Sequence, residues 1–405
     1  MTAREGGPLV PRLRAFGTTV FSEMTALAVE HEAVNLGQGF PDEDPPTEVL
    51  AAAHAALDAG HNQYAPGPGI APLRAAVAHH QRRWYGMDVD PDTEVTVTFG
   101  ATEAVAASLL ALCEPGDEVV VLEPTYDAYP AVLAMAGARA VRVPLTPPAT
   151  PASGSSDQDA RVRGPWTLDL DRLAAAFTDR TRVLLLNSPH NPTGLVLTEA
   201  ELDAIAELCV AHDVVAVTDE VYEHLVYDGA HVPLATRAGM RERTITISSA
   251  GKTYSCTGWK IGWAVAAPPL TAAVRTTKQF LSFAGGTPLQ HAVAVALRSA
   301  DEVFTEVADV HLRRRDLLVA GLREVGVPTT AAAGTYFVTA DVATLGWDDG
   351  DAFCRWAPEA IGVAGVPVAA FVEDPTPVRS LVRFAFCKPD AVLAEGVRRL
   401  TSLAG

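Results

Sequence analysis

From about residue 95 the chain alternates short runs of Val, Ile and Leu with stretches in which apolar side chains recur every third or fourth position. An uninterrupted apolar run of about five residues marks a strand buried on both faces, and the amphipathic stretches between such runs are the helices that cover them. Strands are predicted at 95–99, 118–122, 139–143, 182–186, 214–218, 244–248 and 261–266, forming a largely parallel sheet. Helices are predicted at 47–58, 72–84, 102–113, 168–177 and 198–212, the last opening on Thr198-x-x-Glu201, a capping box. A long arginine-studded helix is predicted at 300–325. After Gly326 the pattern shifts to shorter strands, 335–340 and 381–386, and a last helix near 390–400, which reads as a smaller C-terminal domain. Residues 146–165, rich in Pro, Ala, Ser and Asp, carry too little apolar surface to order themselves and are read as an exposed loop.

Composition narrows the function. A chain of 405 residues, 48% of them hydrophobic, holds a large core and is long enough for two or three domains. The balance of 31 basic against 49 acidic residues gives a net charge of −18, with no Lys/Arg-rich patch or arm, which argues against nucleic acid or an anionic membrane as partner. No apolar run approaches the roughly 18 residues of a spanning helix, and no basic segment followed by an apolar stretch and a cleavage site opens the chain, so a cytoplasmic location is expected. The five cysteines are scattered without a CxxC pair and read as small buried hydrophobes; Cys256 is assigned no role.

Only four lysines stand in the sequence, and two of them close one stretch, Ser249-Ala-Gly-Lys252-Thr-Tyr-Ser-Cys-Thr-Gly-Trp-Lys260. Where arginine serves almost everywhere else, a retained lysine marks chemistry that arginine cannot do, and arginine cannot form a Schiff base with an aldehyde. Such an amine must be partly neutral, through desolvation or a neighbouring positive charge, which Lys260 is placed to supply.

The polar residues fall just past strand ends: Gly100-Ala101-Thr102, Glu123-Pro-Thr-Tyr126, Asn187-Ser-Pro-His-Asn191, Asp219, and Ser249 to Lys252. In open α/β sheets ligands bind outside the carboxyl ends of the strands, so these loops are expected to converge on one crevice. The small-residue turn opening the 102–113 helix offers free backbone NH groups and the positive end of a helix dipole, a phosphate seat that Ser249 and Lys260 complete. Asp219 ends an apolar strand, where an unpaired charge is costly, so it needs a cationic partner; a protonated pyridine nitrogen meets that need. Tyr222 and Asn191 are placed to donate to a ring oxygen, and Tyr126 offers an aromatic face. Arg383, opposite Val382, Phe384 and Phe386 in strand alternation, has the planar fork that clamps a carboxylate. No HExxH or comparable spacing supports a metal.

Taken together, Asn-Leu-Gly-Gln-Gly39-Phe-Pro, Asn62-Gln-Tyr64, Asn191-Pro-Thr-Gly, Asp219-Glu-Val-Tyr222, Ser249-x-x-Lys252, Gly258-Trp-Lys260 and Val382-Arg383-Phe resemble the class I/II pyridoxal-phosphate aminotransferases from about residue 10 to the C-terminus. Within that family the chain looks most like the kynurenine/glutamine/methionine aminotransferase branch and the actinobacterial N-succinyldiaminopimelate aminotransferases. The resemblance implies fold type I: a seven-stranded mixed sheet with one antiparallel strand and helices on both faces, and a smaller α+β domain built from both termini. Residues 1–46 would form an N-terminal arm and part of the small domain, 47–290 the large cofactor-binding domain, and 291–405 the small C-terminal domain. It implies pyridoxal 5'-phosphate as cofactor and a homodimer with active sites at the interface.

Carried over by position, Lys252 would form the Schiff base, Asp219 hold the pyridine nitrogen, Asn191 and Tyr222 the ring oxygen, and Tyr126 the ring face. Ala101, Thr102, Ser249 and Lys260 would hold the phosphate, with Tyr64 reaching the neighbouring subunit's cofactor. Gly39 and Arg383, with Asn191, would place the substrate carboxylate, while Phe21 and residues 280–288 fall where relatives line the side-chain pocket. The reaction so implied is a ping-pong transfer of an amino group from an L-amino acid to a 2-oxo acid. The alternative is a carbon–sulfur β-lyase on the same scaffold. A cofactor-sensing regulator would need a basic DNA-reading module, for which the acidic chain has no room before residue 35.

Overall fold

The apolar runs assemble into a seven-stranded sheet, in the spatial order Val95–Phe99, Ile261–Val265, Thr244–Ser249, Val215–Asp219, Thr181–Asn187, Glu118–Glu123, Arg139–Pro144. This computed structural model describes residues 9–148, 162–330 and 332–404. Six of the strands run parallel; Ile261–Val265 alone is antiparallel to both of its neighbours. Because side chains alternate along a strand, one strand feeds two cores. Val120 and Leu122 face Leu202, Ile205 and Cys209 of the helix Glu199–Ala211, while Val119 and Val121 face Ala104 and Ala107 of the helix Gly100–Leu112. The capping box at Thr198 and Glu201 forms as the sequence requires.

A five-stranded sheet in the order Val366–Pro367, Leu381–Ala385, Phe337–Asp341, Thr329–Thr330, Val162–Arg163 takes four strands from the second half of the chain and one, Val162–Arg163, from the first. The predicted strand at 335–340 begins only at Phe337 because Thr335 sits at φ 66°, outside the extended region. The predicted loop at 146–165 is a loop only in part. Thr146 bridges to Thr167, and Val162–Arg163 pairs in parallel with Thr329–Thr330; residues 149–161 lie outside the described residues.

The N-terminal helix Val20–Glu30 is capped by Thr19, whose hydroxyl accepts from Ser22 N. Its Met24, together with Leu36, buries into the cluster that holds Phe353 and Phe384, and Val34–Asn35 pairs in parallel with Val363–Ala364. The chain then runs beside Leu381–Ala385, with Ala385 N donating to Leu36 O at 2.6 Å. That path carries Gly37 to Phe40 toward the carboxyl edge of the large sheet. No helix among the described residues is long and apolar enough to cross a membrane.

Candidate active site

Parallel pairing puts Asn187 beside Asp219 and brings Glu123 and Ser249 to the same edge of the sheet. Lys260 precedes its strand rather than following it, yet it reaches that edge because Ile261–Val265 runs the other way, with Ile261 opposite Phe99. These residues open into a cavity of about 1100 Å³, counting its mouth. The candidate site residues named from the sequence line this cavity, except Tyr64 and the segment 280–288. Tyr64 is 84% exposed, its ring edge-on to Phe283 with centroids 5.8 Å apart.

At the inner end Asp219 is buried on the last residue of its strand. Burial pushes its carboxyl above the usual range, opposed by donation from the Tyr129 hydroxyl to Oδ2 at 2.8 Å and from Val221 N to Oδ1 at 3.4 Å. Asn187 braces the loop, giving its amide to Asp219 O and accepting from Asn191 N, each at 2.8 Å.

Lys252 stands on a four-residue helix, Ala250–Thr253, and its Nζ donates to Gly39 O at 3.3 Å. The Tyr222 and Tyr336 ring centroids lie 5.6 Å away. Its amine is brought down to about 8, first by burial and then by Arg383 and Lys260, against Cys387 and Asp219. Both means expected from the sequence act here: desolvation is the larger, and the positive charge of Lys260 adds to it.

At the helix end, Gly100 adopts φ 71°, and no side chain caps the helix it opens. A Cβ on Gly100 would lie 3.4 Å from Lys260 Nζ, and one on Gly262 would lie 2.6 Å from the Gly100 carbonyl carbon. Glycine at both positions therefore lets strand, helix start and ammonium meet. No carboxylate among the described residues pairs with Lys260. Positive helix end and ammonium converge on a space suited to an anion.

At the outer end Arg383, 1% exposed, is no surface arginine. Its guanidinium donates to Asn191 Oδ1 at 3.0 Å and Gly37 O at 2.6 Å, with the rings of Phe337, Phe21 and Phe371 at 4.0, 5.0 and 5.5 Å. Its Nε is buried without a partner among the described residues. Burial lowers it to about 10.

This chemistry fits one group: an anion seat, an acid wanting a cation, and a desolvated amine between them match the phosphate, pyridine nitrogen and aldehyde of pyridoxal phosphate. Residues 31–400 match the family of class I and II aminotransferases. The chain belongs to that family. As an aminotransferase of this class it depends on pyridoxal phosphate. It is 53% identical over 404 residues, 98% of each chain, to the "Probable N-succinyldiaminopimelate aminotransferase DapC" of Mycobacterium tuberculosis. It is 37% identical over 399 residues, 98% of this chain and 99% of the other, to the methionine aminotransferase of Escherichia coli. The solved N-succinyldiaminopimelate aminotransferase of Mycobacterium tuberculosis superposes with a TM-score of 0.92 at 53% identity, covering 98% of this chain and 100% of that one. The aminotransferase thus shares its fold type I architecture with that enzyme, and the names of these relatives favour amino transfer over β-elimination.

Several cavity residues escaped the sequence reading. Gln38, whose amide donates to Phe21 O at 3.3 Å, adjoins the Gly39 that was singled out. Tyr129 stands three residues after Tyr126, where a helical start turns both toward the strand edge. Phe337 comes from the far sheet and gave no local signal. Behind Asp219, His80, Glu223 and His224 are of metal-ligating type, but their geometry is that of hydrogen bonding. The two Nε2 atoms stand 2.7 Å apart, closer than the roughly 3.3 Å of two ligands on tetrahedral zinc, and Tyr85 and Ser248 take up the Glu223 oxygens.

Proposed function

We propose that this aminotransferase takes as donor a succinylated diamino acid of the N-succinyldiaminopimelate type and passes its amino group to a 2-oxo acid. The 53% identity to the mycobacterial relative across 98% of both chains carries the reading. Bound pyridoxal phosphate supplies an aldehyde and an electron-withdrawing ring. Ala101, Thr102, Ser249 and Lys260 hold its phosphate, Asp219 its ring nitrogen, Asn191 and Tyr222 its ring oxygen, and Tyr126 its face. Arg383, with Gly39 and Asn191, takes the donor's α-carboxylate; the unpartnered Arg383 Nε supports this, since a buried donor is costly to leave unmet. Nζ of Lys252 is placed to take the donor's α-proton, in keeping with an amine lowered to about 8. Residues 47–290 act as the cofactor-binding domain, and residues 1–46 with 291–405 as the small domain.

The working form we propose is a cytoplasmic homodimer in which Tyr64 reaches the other subunit's cofactor phosphate. The exposure of Tyr64 and Phe280, 84% each, supports a covered face. A half-reaction screen tests the donor. N-succinyl-L,L-diaminopimelate is expected to exceed L-methionine and L-kynurenine in kcat/KM by about tenfold or more, a discrimination of about 1.4 kcal/mol. A preference for either of the others would overturn the donor assignment.

A further inference from the structure

Removing the four lysines from the 31 basic residues leaves 27 arginines, so each retained lysine is a candidate for work that arginine does not do. Lys252 and Lys260 line the cavity. Lys278 donates to Gly67 O at 2.9 Å and to Phe283 O, in the loop next to Tyr64. Lys388, 2% exposed, donates to Phe40 O and to Asp42 Oδ1, both at 3.0 Å, with its Nζ 4.4 Å from the Phe40 ring centroid.

The segment that Lys388 grips is the one that touches the reacting groups. Gly37 O accepts from Arg383, and Gly39 O accepts from Lys252 Nζ and from the Tyr336 hydroxyl. Gly39 is packed so closely on Phe337 that a Cβ would lie 2.5 Å from Cζ. Arg383 and Lys252 thus hold the front of the segment through the Gly37 and Gly39 carbonyls. Lys388 holds the back, at Phe40 and Asp42, and does not itself line the cavity.

We propose that Lys388 is a positioning residue for amino transfer: by fixing Phe40 and Asp42 it sets where Gly39 stands relative to Lys252 and Arg383. A compact ammonium with three freely directed donors serves a carbonyl, a carboxylate and a ring at once, whereas a guanidinium presents its donors in a fixed planar fork. The inference rests on the carboxylate role proposed for Gly39 and Arg383.

The test uses the holoenzyme with any donor the wild type turns over. Lys388→Met is expected to raise donor KM about tenfold, the order of one lost charge-assisted hydrogen bond, with kcat within about threefold. Hydrogen exchange in a peptide spanning residues 36–42 rises, and the cofactor dissociation constant stays within about twofold, since Lys388 touches no residue at the phosphate seat. Lys388→Arg does not rescue. Asp42→Ala, at a half-exposed side chain, shifts KM and exchange the same way by a smaller factor and decides the matter where Lys388→Met does not fold. Unchanged KM and exchange in the folded variants, or full rescue by arginine, would overturn the proposal. Arg383→Ala separates the two readings: if it raises KM while the Lys388 variants do not, only the positioning role falls.

Discussion

Tyr129→Phe removes one hydroxyl from a fully buried pair and tests how Asp219 is kept in its working state. The hydroxyl is the only close donor to the carboxylate among the described residues, at 2.8 Å; the backbone contact from Val221 is longer, at 3.4 Å. Both side chains are buried, so solvent screens the bond only weakly. A hydrogen bond to a charged group contributes about 1.5–3 kcal/mol, equivalent to roughly 10- to 100-fold in an equilibrium or rate constant. Burial already pushes the Asp219 carboxyl up, and Tyr129 works against that push. Without it the carboxyl rises further, its proton competes with the ring nitrogen, and the acid limb of the activity profile moves to higher pH. The assay is stopped-flow single turnover of the cofactor-loaded variant across pH, with cofactor affinity measured by equilibrium dialysis. A roughly 10- to 100-fold fall in half-reaction rate near neutrality, partly recovered at higher pH, is expected. A rate within twofold of wild type at every pH would refute the assignment of Tyr129 as the group that keeps Asp219 ionised.

Other consequences follow from the same geometry. In the apoprotein Asp219 has its folded value raised by burial, so the native state binds its proton more tightly and stability declines as pH rises from the unfolded value through the folded one. Apo Asp219→Asn is therefore expected to have a higher denaturant midpoint than wild type at about pH 8, with the gap closing toward about pH 4; an equal gap at both would contradict this. The apoprotein should take up pyridoxal phosphate faster as pH climbs through about 8, where Lys252 loses its proton; a flat uptake rate would contradict the value. Gly262→Ala puts a Cβ 2.6 Å from the Gly100 carbonyl carbon and 2.8 Å from Ala101 N. It should cost about 1–3 kcal/mol of stability and weaken cofactor binding, and an unaltered dialysis constant would show that the helix start tolerates displacement.

The large sheet was legible because its strands are short runs rich in Val, Ile and Leu set between helical patterns; 118–122, 244–248 and the rest stand within a residue of the observed bounds. The strand-end positions followed from parallel order, so Asp219, Asn191 and Lys252 were found together. Lys260 was legible as a companion of the Gly100 turn, and the reversed direction of Ile261–Val265 is what brings it there. What stayed hidden depends on contacts distant in sequence. Phe337 and Tyr336 meet Gly39 across some 300 residues, and Val162–Arg163 becomes a strand only because Thr329–Thr330 offers it an edge. The burial of Arg383 was hidden for the same reason, because Phe21 and Phe371 close over it from separate segments.

The claim on which the rest stands is that one amine, on Lys252, takes the cofactor. Borohydride reduction of the protein after soaking with pyridoxal phosphate, followed by digestion and mass mapping, tests it directly. A single added mass on the peptide containing Lys252, absent from Lys252→Ala, is predicted. Label on Lys260, Lys278 or Lys388 instead, or a protein left unlabelled, would contradict it.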